Sequence, residues 1–537
     1  MNFANIKFKV VKDLFCYSSI FITVYTGIIN NKIVHAQILS PTPIDDIYAQ
    51  NIRDPDIIGP TNPNYNITDP NITEQTNPNP GNIIKSCLIG CQEIKGSETN
   101  IIKPNSSILQ IDPTPELKFT SSFINQLNLP IQEEVNVNIF QARDIAHKIE
   151  KAVGVKPAFI YISFVPGEIA PNSVSGNYQN NTIKVQEQTT DEIEIILVTG
   201  KGNTNRYRLP HVNRGKIDQV ITDLKTQITA PQYRNRNSYL KPAQKLHNWI
   251  IKPIESDLQK YKIDNLVFLL DAGLRSTPMA ALHDGKQFLV EKYSIGLMPS
   301  LTLTNTLYTD IKNSEILAMG ISKSTQGQAP LPAVPTELRT LVNKLWSGKL
   351  LLNEQTTLEN LKSIRSQKPF GIIHLATHAN FLGGEVDNSY IQLWENKLRF
   401  HQIRELGLHK PPAEMLVISA CRSALGDEKA EIGFAGLAIL AGVKTSVASL
   451  WSVDDTGTAA LMTKFYQSLK TSPIRADALR QAQISMATGK VYLENGQLQG
   501  IEGIGSLTLP EKSIRETNQS LSHPYFWSGF TMVGNPW

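Results

Sequence analysis

The sequence predicts an α/β protein with a mostly parallel sheet covered on both faces. Three observations carry this. From residue 311 onward, short apolar runs recur at 316–319, 371–375, 415–419, 446–450 and 530–533, separated by helical patterns. Those patterns are regular: Leu338, Leu341, Val342 and Leu345 stand at i, i+3, i+4 and i+7 within 335–346. Helical segments at 434–441, closed by Gly442, and at 458–469 complete an alternation of strand and helix.

Composition limits the alternatives. The 537 residues are 41% hydrophobic and 19% charged, which excludes wholesale disorder. That length suits several domain-sized units, or one large unit with insertions. Lys and Arg number 52 against 48 Asp and Glu, for a net +4. The dense basic stripe of a nucleic-acid binder is missing. Four cysteines in so long a chain exclude a disulfide scaffold.

Taken in order, residues 1–36 read as an export signal. Lys7, Lys9 and Lys12 precede a nearly uncharged apolar stretch at 14–29, and Val34-His35-Ala36 offers a cleavage site. The alternative is a membrane anchor, but the stretch falls short of the roughly 20 residues a span needs. An exported chain is therefore expected (periplasm, cell surface or secreted), without a stable membrane span once the signal is removed.

Residues 37–114 are expected to be a disordered linker, because Pro, Asn and Thr dominate and no apolar period is present. Cys87 and Cys91 flank Leu88-Ile89-Gly90 and suit either a local disulfide or two ordinary thiols. Cys421 is then the odd cysteine of an exported protein, which asks for a reason.

Residues 115–235 read as a small α/β domain, with a helix at 139–153 and strands at 158–165 and 193–198. Residues 236–310 hold a helix from Pro242 that Pro253 should kink, then a buried strand at 266–270. That strand ends in Asp271-Ala272-Gly273-Leu274-Arg275, read as structural. Residues 311–537 are the regular α/β region. No repeat of 20–50 residues is present, so no helical array is expected.

In parallel sheets, ligands meet the carboxyl ends of strands. Two such ends stand out. One strand runs into Ala376-Thr377-His378-Ala379-Asn380, and another into Ala420-Cys421-Arg422-Ser423, forty-three residues on. An imidazole beside a thiol lowers the thiol pKa from about 8.5 and later protonates a leaving amine. The interval fits a loop, a segment containing Trp394 and a crossover helix. It is comparable with the caspase spacing of about 50 residues. Cys421 as a buried structural thiol is the plain alternative. His374, four residues before His378, reads as a core histidine on the same strand face. A zinc pair there lacks a third ligand.

The blocks His-Leu-Ala-Thr-His, Val-Ile-Ser-Ala-Cys-Arg-Ser-Ala, Gly-Phe-Ala-Gly-Leu-Ala, Val-Ala-Ser-Leu-Trp-Ser-Val-Asp-Asp and His523-Pro-Tyr-Phe-Trp-Ser-Gly-Phe together resemble the CHAT domain over roughly 240–537. That family is similar to caspases and separases. The resemblance implies a caspase-like three-layer sandwich of two lobes, the first (236–310) degenerate and the second (311–537) catalytic. It implies a thiol protease that hydrolyses peptide bonds without cofactor or metal, with His378 as general acid/base and Cys421 as nucleophile. Backbone N–H groups of Ala379 and Cys421 would form the oxyanion site. A polypeptide is the implied substrate, and there is room for a protein regulator.

Two departures are visible. Ala379 replaces the Gly common after the histidine, which crowds the site or excludes a left-handed backbone there. The tetratricopeptide repeats that often precede this domain are not read here. The first departure motivates a second expectation, an inactive scaffold that binds peptides or protein partners. Trp451, Asp454 and Asp455 end another strand; they read as a pocket for a basic side chain, or Asp454 and Asp455 as a helix cap. Asp427 and Glu428 are lesser candidates for the pocket.

Overall fold

The computed structural model describes residues 28–29, 32–33, 115–127, 129, 139–167, 188–202, 204–382, 386–423, 430, 436–514 and 516–537. Residues 1–54 and 55–537 are separate compact units. In the first, Ile28–Ile29 pairs antiparallel with Lys32–Ile33. The rest of the expected signal and the expected linker, with Cys87 and Cys91, lie outside the described residues. Everything below belongs to the second unit.

Its centre is a thirteen-stranded sheet. The strands are β1 (Pro157–Val165), β2 (Glu192–Thr199), β3 (Asn205–Asn213), β4 (Asn265–Leu270), β5 (Ser294–Leu297), β6 (Ile316–Gly320) and β7 (Gly348–Leu352). There follow β8 (Ile372–Phe381), β9 (Tyr390–Gln392), β10 (Lys397–Arg399), β11 (Met415–Ser423), β12 (Thr445–Ser449) and β13 (Phe530–Gly534). Their order is β10-β9-β8-β11-β12-β13-β5-β4-β1-β2-β3, with β6 beside the first half of β8 and β7 beside β6.

Two parallel blocks make up most of it. One is β7-β6-β8-β11-β12 and the other β13-β5-β4-β1. The antiparallel pair β12–β13 joins them. Continuous apolar runs form these strands because both faces are covered: every residue of β4 and β6 is buried. At the far edge, β3 alternates exposed with less exposed residues and turns Arg206 and Arg208 outward. Charge on an edge discourages pairing with another chain.

The helices that matter are α1 (Pro115–Leu127), α2 (Ile139–Val153), α3 (Arg214–Thr229), α4 (Leu240–Ile250), α5 (Val334–Thr340), α6 (Leu358–Gln367), α7 (Asp455–Leu469) and α8 (Arg475–Ala487). Side chains begin three of them. Asn213 accepts from Lys216 N, Thr357 from Asn360 N, and Asp454 from Thr456 N and Gly457 N. Each such cap contributes about 1 kcal/mol. The expected kink at Pro253 is a break: α4 gives way to a 3₁₀ turn over Lys252–Ile254 before a short helix, Glu255–Lys260. Helix α7 is buried almost all round, through Ala459, Leu461, Met462, Phe465 and Tyr466. Among the described residues, no helix is long and apolar enough to cross a membrane.

β1 pairs in parallel with β4 from Pro157↔Asn265 to Ile162↔Leu270, so strands from residues 115–235 and 236–310 share one sheet. Apolar patterning locates strands but says nothing of which strand joins which. Between His378 and Cys421 the chain forms β9, β10 and a 3₁₀ segment, Phe400–Leu406, rather than an α-helical crossover.

Candidate active site

β8 and β11 run side by side. Their pairing is regular from Ile372↔Met415 to Leu375↔Ile418, then slips to His378↔Ala420, Ala379↔Cys421 and Phe381↔Ser423. The slip gives β8 one extra residue, a bulge of the kind that re-aims side chains beside active sites. It also reverses the alternation. His374 is fully buried, whereas His378 is half-exposed, paired three positions further along β11 and so on the other face. The shared face expected from the i, i+4 spacing is therefore lost at the bulge.

His378 Nε2–H donates to the backbone carbonyl of Ala329 at 2.9 Å. A carbonyl only accepts, so this contact places the ring proton on Nε2 and leaves the Nδ1 lone pair available in the neutral ring. Ala329 belongs to the connection between β6 and α5, residues 321–333. Ser322 N and Lys323 N both donate to Asn353 Oδ1 at its start, and Gln328 Nε2 donates to Tyr390 Oη in its middle. Ala333 N donates to Asp455 Oδ2 at 2.8 Å at its end. Ala379 lies inside β8, an extended backbone open to any residue, so the missing Gly imposes no backbone strain. Cys421 lies on β11 opposite Ala379, one step beyond the partner of His378.

Under the sheet lies a closed polar network. His374 Nδ1 meets Tyr466 Oη at 2.9 Å, and Nε2 meets Ser419 Oγ at 3.3 Å. Glu337 Oε1 also stands 2.9 Å from Nε2, off the line of a hydrogen bond. Burial, and then the nearby Glu337 charge, raises the Tyr466 hydroxyl well above its ordinary pKa. This is the core histidine that the sequence suggested, with partners drawn from α5, α7 and β11.

The third strand end divides into separate roles. Trp451 is 3% exposed, donates from Nε1 to Tyr525 O at 3.1 Å and packs where a Cβ on Gly529 would come within 2.8 Å. Tyr525 Oη donates in turn to Ser452 O, so the His523-to-Phe530 block locks β12 to β13. Asp454 is 7% exposed and caps α7. Asp455 receives Ala333 N. Burial raises its carboxyl to about 7; the Ala333 hydrogen bond opposes this, and the charges of Glu337 and Asp454 add to it. Asp427 and Glu428 lie outside the described residues. At the first-lobe strand end, Asp271 binds Lys118 Nζ at 2.5 Å, Phe164 N at 3.2 Å and its neighbour Ala272 N.

Sequence reasoning missed Ala329 and Glu337. A backbone carbonyl leaves no mark in a sequence. Glu337 did leave one: it stands four and eight residues before Leu341 and Leu345, on the apolar face of its helix. Among the described residues, no group of three His, Cys, Asp or Glu is placed to hold a metal.

No curated protein matches the chain. Among solved structures, it is similar to a chain in the crystal structure of the Saccharomyces cerevisiae separase–securin complex, with a TM-score of 0.40 and 11% identity. That similarity covers 79% of this chain and 33% of the other, so this chain spans about a third of its length. The family model described as the CHAT domain matches residues 240–535. With more than half of its length matched, the chain belongs to the CHAT domain family.

Proposed function

We propose that this protein is a cysteine endopeptidase with His378 and Cys421 as its dyad. The observation that carries the reading is the pairing of β8 with β11, which brings the backbones of His378 and Cys421 to within one residue step on neighbouring strands. Adjacent strands are about 4.8 Å apart. The Ala329 contact supports it further by leaving Nδ1 of His378 free to take a proton.

Nδ1 accepts the Cys421 thiol proton as sulfur bonds to the scissile carbonyl carbon. Backbone N–H groups of Ala379 and Cys421 stabilise the oxyanion. The C–N bond then breaks, the amine leaves with the proton from His378, and water hydrolyses the thioester. Incubating the purified chain with a peptide library tests this. Cleavage is expected, and it should disappear in Cys421→Ala and His378→Ala variants that stay folded.

A second reading is an inactive CHAT scaffold that holds peptide or protein partners. The one-step offset favours it, since positions on a regular pleat share a face when they are in register. A thiol-reactive peptide probe separates the two: selective labelling of Cys421 belongs to the enzyme, and no labelling of a folded chain belongs to the scaffold. The lysine-led apolar segment further supports export. N-terminal sequencing of the exported chain should begin after Ala36.

A further inference from the structure

We propose that Asp455 is a positioning residue for His378, acting through the strap of residues 321–333. Two contacts at the far end of the strap matter here, and between them Leu331 N donates to Ser322 O. Ala329 O receives the His378 ring, and four residues later Ala333 N donates to Asp455 Oδ2. Between them lie Pro330, Leu331 and Pro332. Two proline rings fix φ near −65°, so a displacement at Ala333 passes to Ala329 instead of being absorbed on the way.

The Asp455 end is rigid. Asp454 accepts from Thr456 N and Gly457 N and fixes the start of α7, which sets the direction of the next residue. Ala333 is fully buried at the first turn of α5, and Val334 N donates back to Leu331 O. Two neighbouring aspartates thus tie down two helix beginnings, Asp454 that of α7 and Asp455 that of α5. The Ala329 end is open by contrast: Ala329 and Pro330 are exposed. Gln326 and Gly327 turn the chain there with positive φ, 49° and 76°. Gln326 Nε2 donates to Leu393 O and Trp394 O, and Gln328 Nε2 to Tyr390 Oη, so the outer turn is tied on the β9 side, and the hold at Ala333 sets the carbonyl from the α5 side.

Asp455 faces the Ala333 N–H and, at longer range, the carboxylates of Glu337 on α5 and Asp454 on its own helix. An amide can accept the same N–H, so the role needs an acceptor oxygen rather than a charge. This separates positioning from a pocket for a basic side chain, which would need the charge.

The inference rests on the dyad reading for its catalytic consequence, but not for its structural one. Nitrogen-15 spectra of the histidine rings, with His378 assigned by His378→Gln, read the proton position without any turnover. In Asp455→Ala the preference for the Nε2–H form should fall by about fivefold, the worth of one ordinary hydrogen bond. Asp455→Asn should keep it. A Gly-Gly insertion after Pro330, which leaves the Asp455 bond in place, should produce the same loss as Asp455→Ala. Ring signals identical to wild type in the insertion variant, or in folded Asp455→Ala, would overturn the proposal.

If the enzyme reading holds, Asp455→Ala also lowers kcat by up to about 10²-fold with KM unchanged, and Asp455→Asn restores it. A changed ring with no peptidase activity in any variant would leave the positioning intact and remove the enzyme.

Discussion

The two parallel blocks end in opposite ways at the carboxyl ends of their strands, which the antiparallel β12–β13 pair sets on opposite edges of the sheet. Where β4 stops, Asp271 is 3% exposed and saturated by Lys118 and by the backbone of Phe164 and Ala272, with Arg214 Nη2 at 3.9 Å. Near the end of β8, His378 is half-exposed and, among the described residues, its ring is held by the Ala329 carbonyl. A strand end in such a sheet is a place where a site can be built. The Asp271 end is filled with structure, whereas the His378 end leaves a ring nitrogen for the dyad proposed above.

The sharpest way to break the comparison is to remove the second lobe's reactive groups. His378→Ala should lower kcat by about 10²–10⁴-fold with the denaturation midpoint unchanged, because general acid–base catalysis carries that much. Asp271→Asn should leave peptide cleavage as it is. Next in size, Asp271→Ala removes the ion-pair partner of Lys118 and the acceptor of the Phe164 and Ala272 N–H groups, which costs about 3 kcal/mol in urea unfolding. The same measurement on His378→Ala should change little.

Gly529→Ala comes third. Its Cβ would stand 2.8 Å from both Ser449 Oγ and the Trp451 ring. Overpacking of this kind costs about 1–3 kcal/mol and should unlock β12 from β13, the pair that joins the blocks.

The gentlest test is acid. Burial lowers His523 from its ordinary 6.5 to about 4, and its ring meets Tyr239 of the first lobe edge-on at 4.9 Å. The unfolded chain binds that proton more readily, so stability present above pH 6.5 should decline as pH falls towards 4. His523→Gln should flatten that decline. Asp455 has the opposite sign. Its raised pKa means the folded state keeps a proton the unfolded state loses, so its contribution to stability falls as pH rises from about 4 to about 7.

Much of this was legible in the residues. The β-branched runs marked β1, β2, β4, β6, β8, β11, β12 and β13, since fully buried strands must be apolar throughout. β3 was not legible: Arg206 and Arg208 break the apolar signal, which an edge strand has no need to keep. The small sheet of Tyr492–Glu494, Gln497–Gln499, Leu507–Thr508 and Gln519–Ser520 was missed as well. Its strands are too short for a period to show. At the site, residue type pointed to His378, but the bulge that turns it away from His374 depends on the pairing of two strands. Asp454 and Asp455 are adjacent and chemically identical. Only geometry assigns one to its own helix and the other to α5.

β8 changes neighbours along its length, from β6 beside Ile372–Ala376 to β9 beside Ala379 and Asn380. The sheet forks there, and the chain leaving β6 exits through the fork. Insertions at the tip of that exit need not displace any strand, yet they alter what borders the imidazole. The fork is thus a natural splice point, where relatives or engineers could exchange a short segment and retune recognition while inheriting the whole framework unchanged.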